Sequence, residues 1–222
     1  MNVKIEQWMN WILYDELMEG KINAPKHLLG NHDYGEGQMI TAYKPHSVSC
    51  KVIAPTGKTE YEMEKVDDKG FYALYLPKKK FVGSKYRLVT DYQDGSTVVS
   101  ADPYSFDSQI GSMDVYLFSE GNHWEIYKKL GAHPMKIDGV AGTYFAVWAP
   151  HARRVSVVGN FNMWDGALHP MHLTGSSGIY ELFIPDVGED AIYKFNILTR
   201  YGEEIYKADP FTVHSSARIM PM

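Results

Sequence analysis

The 222-residue sequence predicts an all-β protein built from two similar β-sandwich domains in tandem. Four segments of the first half recur in the same order about 105 to 108 positions later. Both copies show the alternating apolar pattern of strands, and neither contains the long helical crossovers that a parallel sheet needs. The recurring pairs are residues 42–45 and 147–150, 70–77 and 178–185, 86–88 and 193–195, and 101–104 and 208–211.

The strand pattern predicts an immunoglobulin-like sandwich of the early-set type in each copy. Residues 72–76 and 180–184 alternate so that every second apolar side chain shares one face of a strand. In residues 193–197 the apolar side chains again lie on one face, which leaves Lys194 on the other. Short strands separated by turn signals, such as residues 94–96 and 164–166, are typical of this fold.

Two stretches are predicted to be helical. Residues 4–18 carry apolar side chains at helical spacing and precede Gly20, so we expect a short N-terminal helix that docks onto its own domain. In the connector, Asn122 and Glu125 have the spacing of a capping box, which predicts a short helix packed between the domains. The expected units are residues 1–26 (helical), 27–108 (first sandwich), 109–138 (helical connector) and 139–222 (second sandwich).

The composition excludes several classes of partner. A formal net charge of −5 and a pI near 6.0 supply no basic surface for nucleic acid or an anionic membrane. No apolar run approaches the roughly 20 residues of a membrane span, and the first residues lack a signal-peptide pattern. Cys50 is the single cysteine, which excludes an internal disulfide and suits a cytoplasmic location. The nine histidines lack metal-ligand spacing, so we expect neither a metal nor a cofactor.

Two motif groups resemble a known family. Residues 123–134, HWEIYKKLGAHP, resemble the connector that precedes the second module of bacterial glycogen branching enzymes. Residues 142–150, GTYFAVWAP, and residues 159–166, GNFNMWDG, resemble the glycogen-binding module of carbohydrate-binding family 48. The resemblance covers about residues 27–218 and is most specific from 123 to 211.

This resemblance implies an accessory role in glycogen synthesis. The family cleaves α-1,4 bonds of a glucan and forms α-1,6 bonds with a family 13 glycoside hydrolase barrel, whose sequence signatures do not occur here. We therefore expect no catalytic residue and no branching activity in this chain. The expected partners are an α-1,4-glucan, such as glycogen or a maltooligosaccharide, and the catalytic barrel of a longer parent enzyme.

The resemblance also suggests glucan-binding residues. Trp164 lies before a turn at the sandwich rim, where an exposed indole can stack on a sugar ring, and Asn162 belongs to the same Phe-Asn-x-Trp element. Lys194 can donate hydrogen bonds to sugar hydroxyls. Relatives carry a second tryptophan near residues 200–205, where this chain offers Tyr201 instead. Trp148 is expected in the core.

Other interpretations of these residues remain open. Trp164 could pack against its own loop or a neighbouring domain, and Lys194 could be an ordinary solvent-facing lysine. At the level of function, the chain could be an accessory region of a branching enzyme, a stand-alone glycogen-binding or starch-binding module, or a pair of structural domains without a ligand.

Overall fold

The computed structural model describes residues 2–55, 57–80, 82 and 85–211, except the side chain of Lys79. The fold is mostly β, and every strand pair in this part of the chain is antiparallel, which confirms the predicted class. The end of the expected second sandwich, residues 212–222, lies outside the described residues.

The first domain contains β1 (Gly30–Tyr34), β2 (Gly37–Tyr43), β3 (Ser47–Ile53), β4 (Glu60–Glu62), β5 (Glu64–Lys65), β6 (Phe71–Pro77), β7 (Arg87–Tyr92) and β8 (Thr97–Ala101). The second contains β9 (Gly131–Ile137), β10 (Val140–Trp148), β11 (Ala152–Gly159), β12 (His172–Leu173), β13 (Ile179–Pro185), β14 (Tyr193–Thr199) and β15 (Glu204–Lys207). The α-helices are α1 (Val3–Trp8), α2 (Trp11–Met18) and α3 (Ser112–Ser119). Short 3₁₀ helices span Pro25–His27, Lys78–Lys80, Pro103–Ser105, Ile126–Lys128 and Asn160–Asn162.

Each domain is a sandwich of two sheets. In the first domain the sheet β1-β2-β6-β5 faces the sheet β4-β3-β7-β8, and in the second the sheet β12-β13-β10-β9 faces the sheet β11-β14-β15. The inward-facing residues of alternating strands form the two cores, as the period-2 pattern predicts. The repeat-equivalent core residues are Ile40 and Phe145, Val52 and Val157, Tyr72 and Tyr180, Tyr86 and Tyr193, and Leu88 and Phe195.

An equivalent tyrosine–aspartate hydrogen bond occurs in each of the two sandwiches. Tyr86 donates to Asp102, and Tyr193 donates to Asp209. Each carboxylate also accepts the backbone amide two residues further on, at N–O distances of 3.0 and 2.8 Å. Burial raises the pKa of Asp102 from its usual value. The duplication therefore extends from sequence motifs to individual hydrogen bonds.

The N-terminal helix differs from the prediction. The expected single helix is two helices, because the Asn10 side chain accepts the backbone amides of Ile12 and Leu13 at 3.2 and 3.3 Å and so starts a new helix. Leu17 of α2 is buried against the outer face of the β2–β6 pair. The helices thus dock onto their own domain, as expected.

The α-helix of the connector lies before Asn122 and not, as the capping pattern predicts, after it. Asp114 accepts the backbone amide of Gly111 at 2.9 Å and caps α3, whereas the segment after Asn122 forms only the 3₁₀ helix Ile126–Lys128. Strand β9 starts at Gly131, which lies inside the range 109–138 assigned to the connector. The capping pattern at Asn122 therefore predicted a helix that tertiary contacts do not support.

The repeat unit includes the helices. Helices α2 and α3 lie 101 residues apart, and so do the two 3₁₀ helices before β1 and β9. Gly20 and Gly121, also 101 residues apart, end α2 and α3 with positive φ angles of 64° and 71°. The Glu-Gly pairs at 19–20 and 120–121 are a sequence signal of this longer repeat. Each unit is a helix followed by a sandwich.

The first domain contacts the second sandwich directly. The Tyr104 hydroxyl donates to the Pro170 carbonyl at 3.1 Å, and the Leu173 amide donates to the Asn23 carbonyl at 2.8 Å. The rings of His27 and His172 lie 5.1 Å apart, edge to face. These contacts join residues of the first unit directly to the second sandwich.

Candidate functional site

The candidate site is the outer face of the β11-β14-β15 sheet together with the loop that crosses it, residues 160–171; we call this surface the loop-covered face. The loop stays close to the sheet because the Val157 amide donates to the His169 carbonyl at 3.1 Å and the Met171 amide donates to the Val155 carbonyl at 2.8 Å. The side chains of this face point away from the sandwich core.

Asn162 builds the turn that leads to Trp164. Its Oδ1 accepts the Gly159 amide at 2.8 Å, and its Nδ2 donates to the Val157 carbonyl and to His169 Nδ1, both at 2.9 Å. The side chain is buried and its hydrogen-bonding groups are all used within the protein. Both donor hydrogens of the side-chain amide are thus engaged within the protein, an arrangement suited to positioning the loop.

Trp164 lies at the tip of this turn. Met163 and Trp164 have φ angles of 55° and 63°, a left-handed conformation that non-glycine residues adopt only when their surroundings hold them there. The Trp164 amide donates to the Gly159 carbonyl at 3.0 Å, which closes the turn. The side chain is 40% exposed, so the indole is neither sealed inside nor free in solvent. The exposed part of the indole is available to a ligand.

Gly166 sits against the sheet beneath the loop. A Cβ atom at this position would lie 2.7 Å from Asn196 Oδ1 and 3.2 Å from an Arg154 guanidinium nitrogen. Because both neighbours are buried, the absence of a side chain lets the loop approach the sheet closely.

Arg154 lies on the loop-covered face, beneath the loop. Its guanidinium donates to Ser156 Oγ at 2.6 Å and to Glu204 Oε1 at 3.0 Å. Burial lowers the pKa of Arg154 from its usual value, and the negative charge of Glu204 opposes that shift. Within the described part of the chain, Arg154 Nε and Asn196 Nδ2 are buried without a hydrogen-bond partner.

Lys194 projects from the loop-covered face, as the strand alternation predicted. It lies opposite Val158, close to the point where β11 ends and the loop begins. The side chain is exposed and forms no hydrogen bond or ion pair with any residue that the structure describes. Its ammonium group is therefore available to a ligand near the Trp164 turn.

Tyr206 is a residue that the sequence reasoning missed. It pairs with Asn196 across β14 and β15, which places its exposed side chain on the same face as Lys194. The alternation of residues 204–207 carried this signal, but the short edge strand has no strong apolar pattern. Tyr206 adds a second aromatic ring to the face that holds Trp164.

Tyr201 does not join this cluster. It lies in the turn between β14 and β15, at the end of β14 opposite to Lys194, and is highly exposed. The end of β14 at Thr199 lies five positions after Lys194, which corresponds to about 17 Å along a strand. A short ligand at Trp164 would therefore not reach Tyr201.

Trp148 is exposed on one side instead of lying in the core. In β10 the inward positions are Phe145 and Val147, so alternation turns Trp148 to the outer face of the sheet. There its ring packs edge to face on Phe118 of α3, with ring centres 5.6 Å apart. The expectation of a core tryptophan was wrong because it ignored this alternation.

His169 predicts a pH dependence of stability. Burial, with a smaller contribution from the positive charge of Lys44, lowers the pKa of His169 to about 3, below the value of about 6.5 for an unfolded chain. The unfolded state then binds more protons between these values, so stability falls as the pH drops below about 6.5, by up to about 1.4 kcal/mol per pH unit. Urea unfolding at pH 7.5, 6 and 5 measures this slope.

The variant His169→Gln isolates this effect, because glutamine keeps an acceptor for Asn162 but does not titrate. We expect a shallower loss of unfolding free energy between pH 6.5 and 5 in the variant. Equal slopes in the two proteins would contradict the assignment to His169.

Neither a metal site nor a membrane span is found among the residues that the structure describes. No group of three or more histidine, cysteine, aspartate or glutamate side chains there could hold a metal ion. None of the helices described is long and apolar enough to cross a membrane.

Comparison with known families assigns both domains. Residues 11–104 match the N-terminal domain of the α-1,4-glucan branching enzyme GlgB, and residues 129–212 match carbohydrate-binding module 48 (isoamylase N-terminal domain). The first match begins at α2, in agreement with a repeat unit that includes the helix.

Curated relatives agree with this assignment. The chain is 42% identical over 204 residues to the 1,4-α-glucan branching enzyme GlgB of Pseudomonas fluorescens, a match that covers 91% of this chain and 27% of the relative. It is 41% identical over 188 residues to the enzyme of the same name from Rubrobacter xylanophilus, covering 84% of this chain and 25% of the relative. The chain thus spans about a quarter of the length of these relatives.

The similarity of this chain to solved structures is weak. The apo pullulanase of Klebsiella pneumoniae shares 17% identity over 82% of this chain and 22% of that chain, with a TM-score of 0.33, which is too low to establish a common arrangement. Together, the duplicated helix-and-sandwich units, the two family matches and the curated relatives show that this chain belongs to the 1,4-α-glucan branching enzyme family, whose N-terminal domain and carbohydrate-binding module 48 it contains.

Proposed function

We propose that the loop-covered face of the second sandwich binds an α-1,4-glucan and that this region serves a branching enzyme of glycogen synthesis as an accessory, glucan-holding part. The observation that carries the proposal is the partly exposed Trp164 indole, held at the tip of a turn by the buried amide of Asn162. A ring presented on a fixed turn loses little conformational freedom when a sugar stacks on it.

Each side chain has a distinct role in this proposal. Trp164 offers an apolar surface to the C–H bonds of one glucose ring, and Tyr206 extends the aromatic surface along the sheet. Lys194 donates hydrogen bonds to sugar hydroxyls, while Asn162 positions the turn without touching the ligand. Tyr201, at the far end of β14, contacts only glucans long enough to span the strand.

The branching reaction is proposed as the activity that this region serves. The relatives named for it are about four times as long as the matched region, so the reaction itself is assigned to the longer polypeptide and not to these two domains. A cytoplasmic location belongs to the same proposal and is supported by the single cysteine, which excludes an internal disulfide.

Replacing Lys194 with methionine tests the polar part of the site. We expect the affinity for maltoheptaose, measured by isothermal titration calorimetry, to fall about fivefold, since one hydrogen bond contributes about 1 kcal/mol. Lys207→Met is the matched control: Lys207 pairs with the core residue Phe195 and so points to the other side of the same sheet.

An equal loss in Lys194→Met and Lys207→Met would indicate a general charge effect and contradict the site. No retention of the unsubstituted chain on insoluble glycogen, together with no heat of binding to maltoheptaose, would favour two structural domains without a ligand.

A further inference from the structure

The internal duplication provides a template for a second interface. In the first unit, the surface formed by Asn23, Lys26, His27 and Tyr104 meets the domain that follows it in the chain. Asn23, His27 and Tyr104 contact the second sandwich directly, and Lys26 Nζ donates to the Phe106 carbonyl at 2.8 Å. We call these four residues the first docking surface.

The repeat offset identifies the corresponding residues of the second unit. A displacement of 101 residues takes Asn23, Lys26 and His27 to Trp124, Tyr127 and Lys128, and a displacement of 107 takes Tyr104 to Phe211. We call these four the second docking surface.

The backbone beneath both surfaces is built alike. Gly30 and Gly131 have φ angles of 102° and 108°, and a Cβ on either would meet the Cβ of Tyr104 or Phe211 at 3.2 or 3.1 Å. The carboxylate two residues before each ring accepts the amide of the ring residue, as described above. The Cβ of Phe211 therefore lies in the second unit where the Cβ of Tyr104 lies in the first.

The second docking surface is rich in exposed aromatic side chains. Trp124 is 85% exposed, Tyr127 54% and Phe211 37%, although aromatic side chains of this size usually bury most of their area. A groove of about 660 Å³ opens beside Tyr127 and Phe211. Aromatic residues are also the types that concentrate at the centres of protein interfaces.

We propose that Trp124, Tyr127 and Phe211 dock the folded domain that follows the carbohydrate-binding module in the longer branching-enzyme relatives. In the first unit the equivalent surface is covered by the next domain along the chain. The region matched here makes up only 25–27% of the length of the relatives. Phe211 lacks the hydroxyl that Tyr104 donates to a carbonyl, so the partner strip facing it is apolar. The proposal rests on the duplication and is independent of glucan binding.

A hybrid enzyme tests this docking surface. The chain replaces the matched region of the Pseudomonas fluorescens enzyme, and hydroxyl-radical footprinting with mass spectrometry compares it with the free 222-residue chain. We expect the oxidation rates of Trp124 and Tyr127 to fall about fivefold or more in the hybrid, because interface centres exclude water. Tyr201, which is equally exposed in the free chain, is the reference and should react at the same rate in both.

A double variant, Trp124→Ala with Tyr127→Ala, provides the second measurement. It should lower the melting temperature of the hybrid and leave that of the free chain unchanged, since both side chains contact mainly solvent there. If the hybrid does not fold, the footprint is measured on the free chain mixed with the remaining residues of the Pseudomonas fluorescens enzyme.

Three results would overturn the proposal. Unchanged oxidation of Trp124 in the hybrid, or in the mixture where that replaces it, would show that no domain covers it. Protection of Trp124 in the concentrated free chain, with sedimentation as a dimer, would assign the surface to a second copy. Protection on addition of maltoheptaose alone would assign it to glucan instead.

Discussion

The variant Trp164→Ala is expected to bind α-1,4-glucan about ten- to thirtyfold more weakly than the unsubstituted chain. The exposed 40% of a tryptophan surface of roughly 250 Å² is about 100 Å², and covering it with a sugar is worth at most about 2.5 kcal/mol. Ordering of the ligand offsets part of this, which leaves about 1.5 to 2 kcal/mol. Calorimetry with maltoheptaose and retention on insoluble glycogen both measure the loss.

Trp124→Ala is the matched control for this experiment. Trp124 is the more exposed of the two indoles but lies on the second docking surface, so we expect its removal to leave glucan affinity unchanged. The variant Trp164→Phe keeps an aromatic face and should retain part of the affinity. Equal binding by Trp164→Ala and the unsubstituted chain would contradict the proposed site, provided that both proteins have the same melting temperature.

The largest expected effect on stability is that of Glu181→Ala. Glu181 is buried, and its carboxylate accepts the Gln109 amide at 3.0 Å, the Tyr144 hydroxyl at 2.7 Å, the Thr174 hydroxyl at 2.9 Å and the Ser108 hydroxyl. Each buried donor left without an acceptor costs about 1 to 3 kcal/mol. We therefore expect the free energy of unfolding to fall by about 4 kcal/mol, as measured by urea denaturation.

Glu189→Ala is the control, because Glu189 is exposed in the loop after β13 and should change stability by less than about 0.5 kcal/mol. Two of the donors, Ser108 and Gln109, lie where the first sandwich passes into the connector, so Glu181 ties this junction to the second sandwich. A loss below about 1 kcal/mol in Glu181→Ala would show that water or a rearranged neighbour replaces the carboxylate.

Two positions in the candidate site were predictable from the local sequence pattern. The alternation of residues 193–197 placed Lys194 on the outer face, and the Gly-Asn break before Trp164 placed the indole at a turn. Both positions follow from the geometry of a few neighbouring residues. The hydrogen bonds of Asn162 were not predictable in this way, because its partners, the Val157 carbonyl and His169, are set by how the loop folds back on β11.

The same distinction explains the errors in the fold. Asn122 and Glu125 have the spacing of a helix cap, but Trp124 and Tyr127 are exposed, and the apolar contacts of this segment are limited to Ile126 and Leu130. Residues 112–119 do form one, since Phe118 packs on the outer face of the second sandwich. A capping pattern alone does not tell which of two adjacent segments has a surface to pack on.

The amino-acid sequence by itself determined the all-β class, the duplication and the exposure of residues such as Lys194. Strand periodicity and repeat spacing are properties of short segments and do not depend on distant contacts. Tertiary structure alone decided the burial of Asn162 and Glu181 and the position of the α-helix in the connector. Those outcomes depend on contacts between residues far apart in sequence, whose partners are chosen only when the sheets, loops and helices pack together.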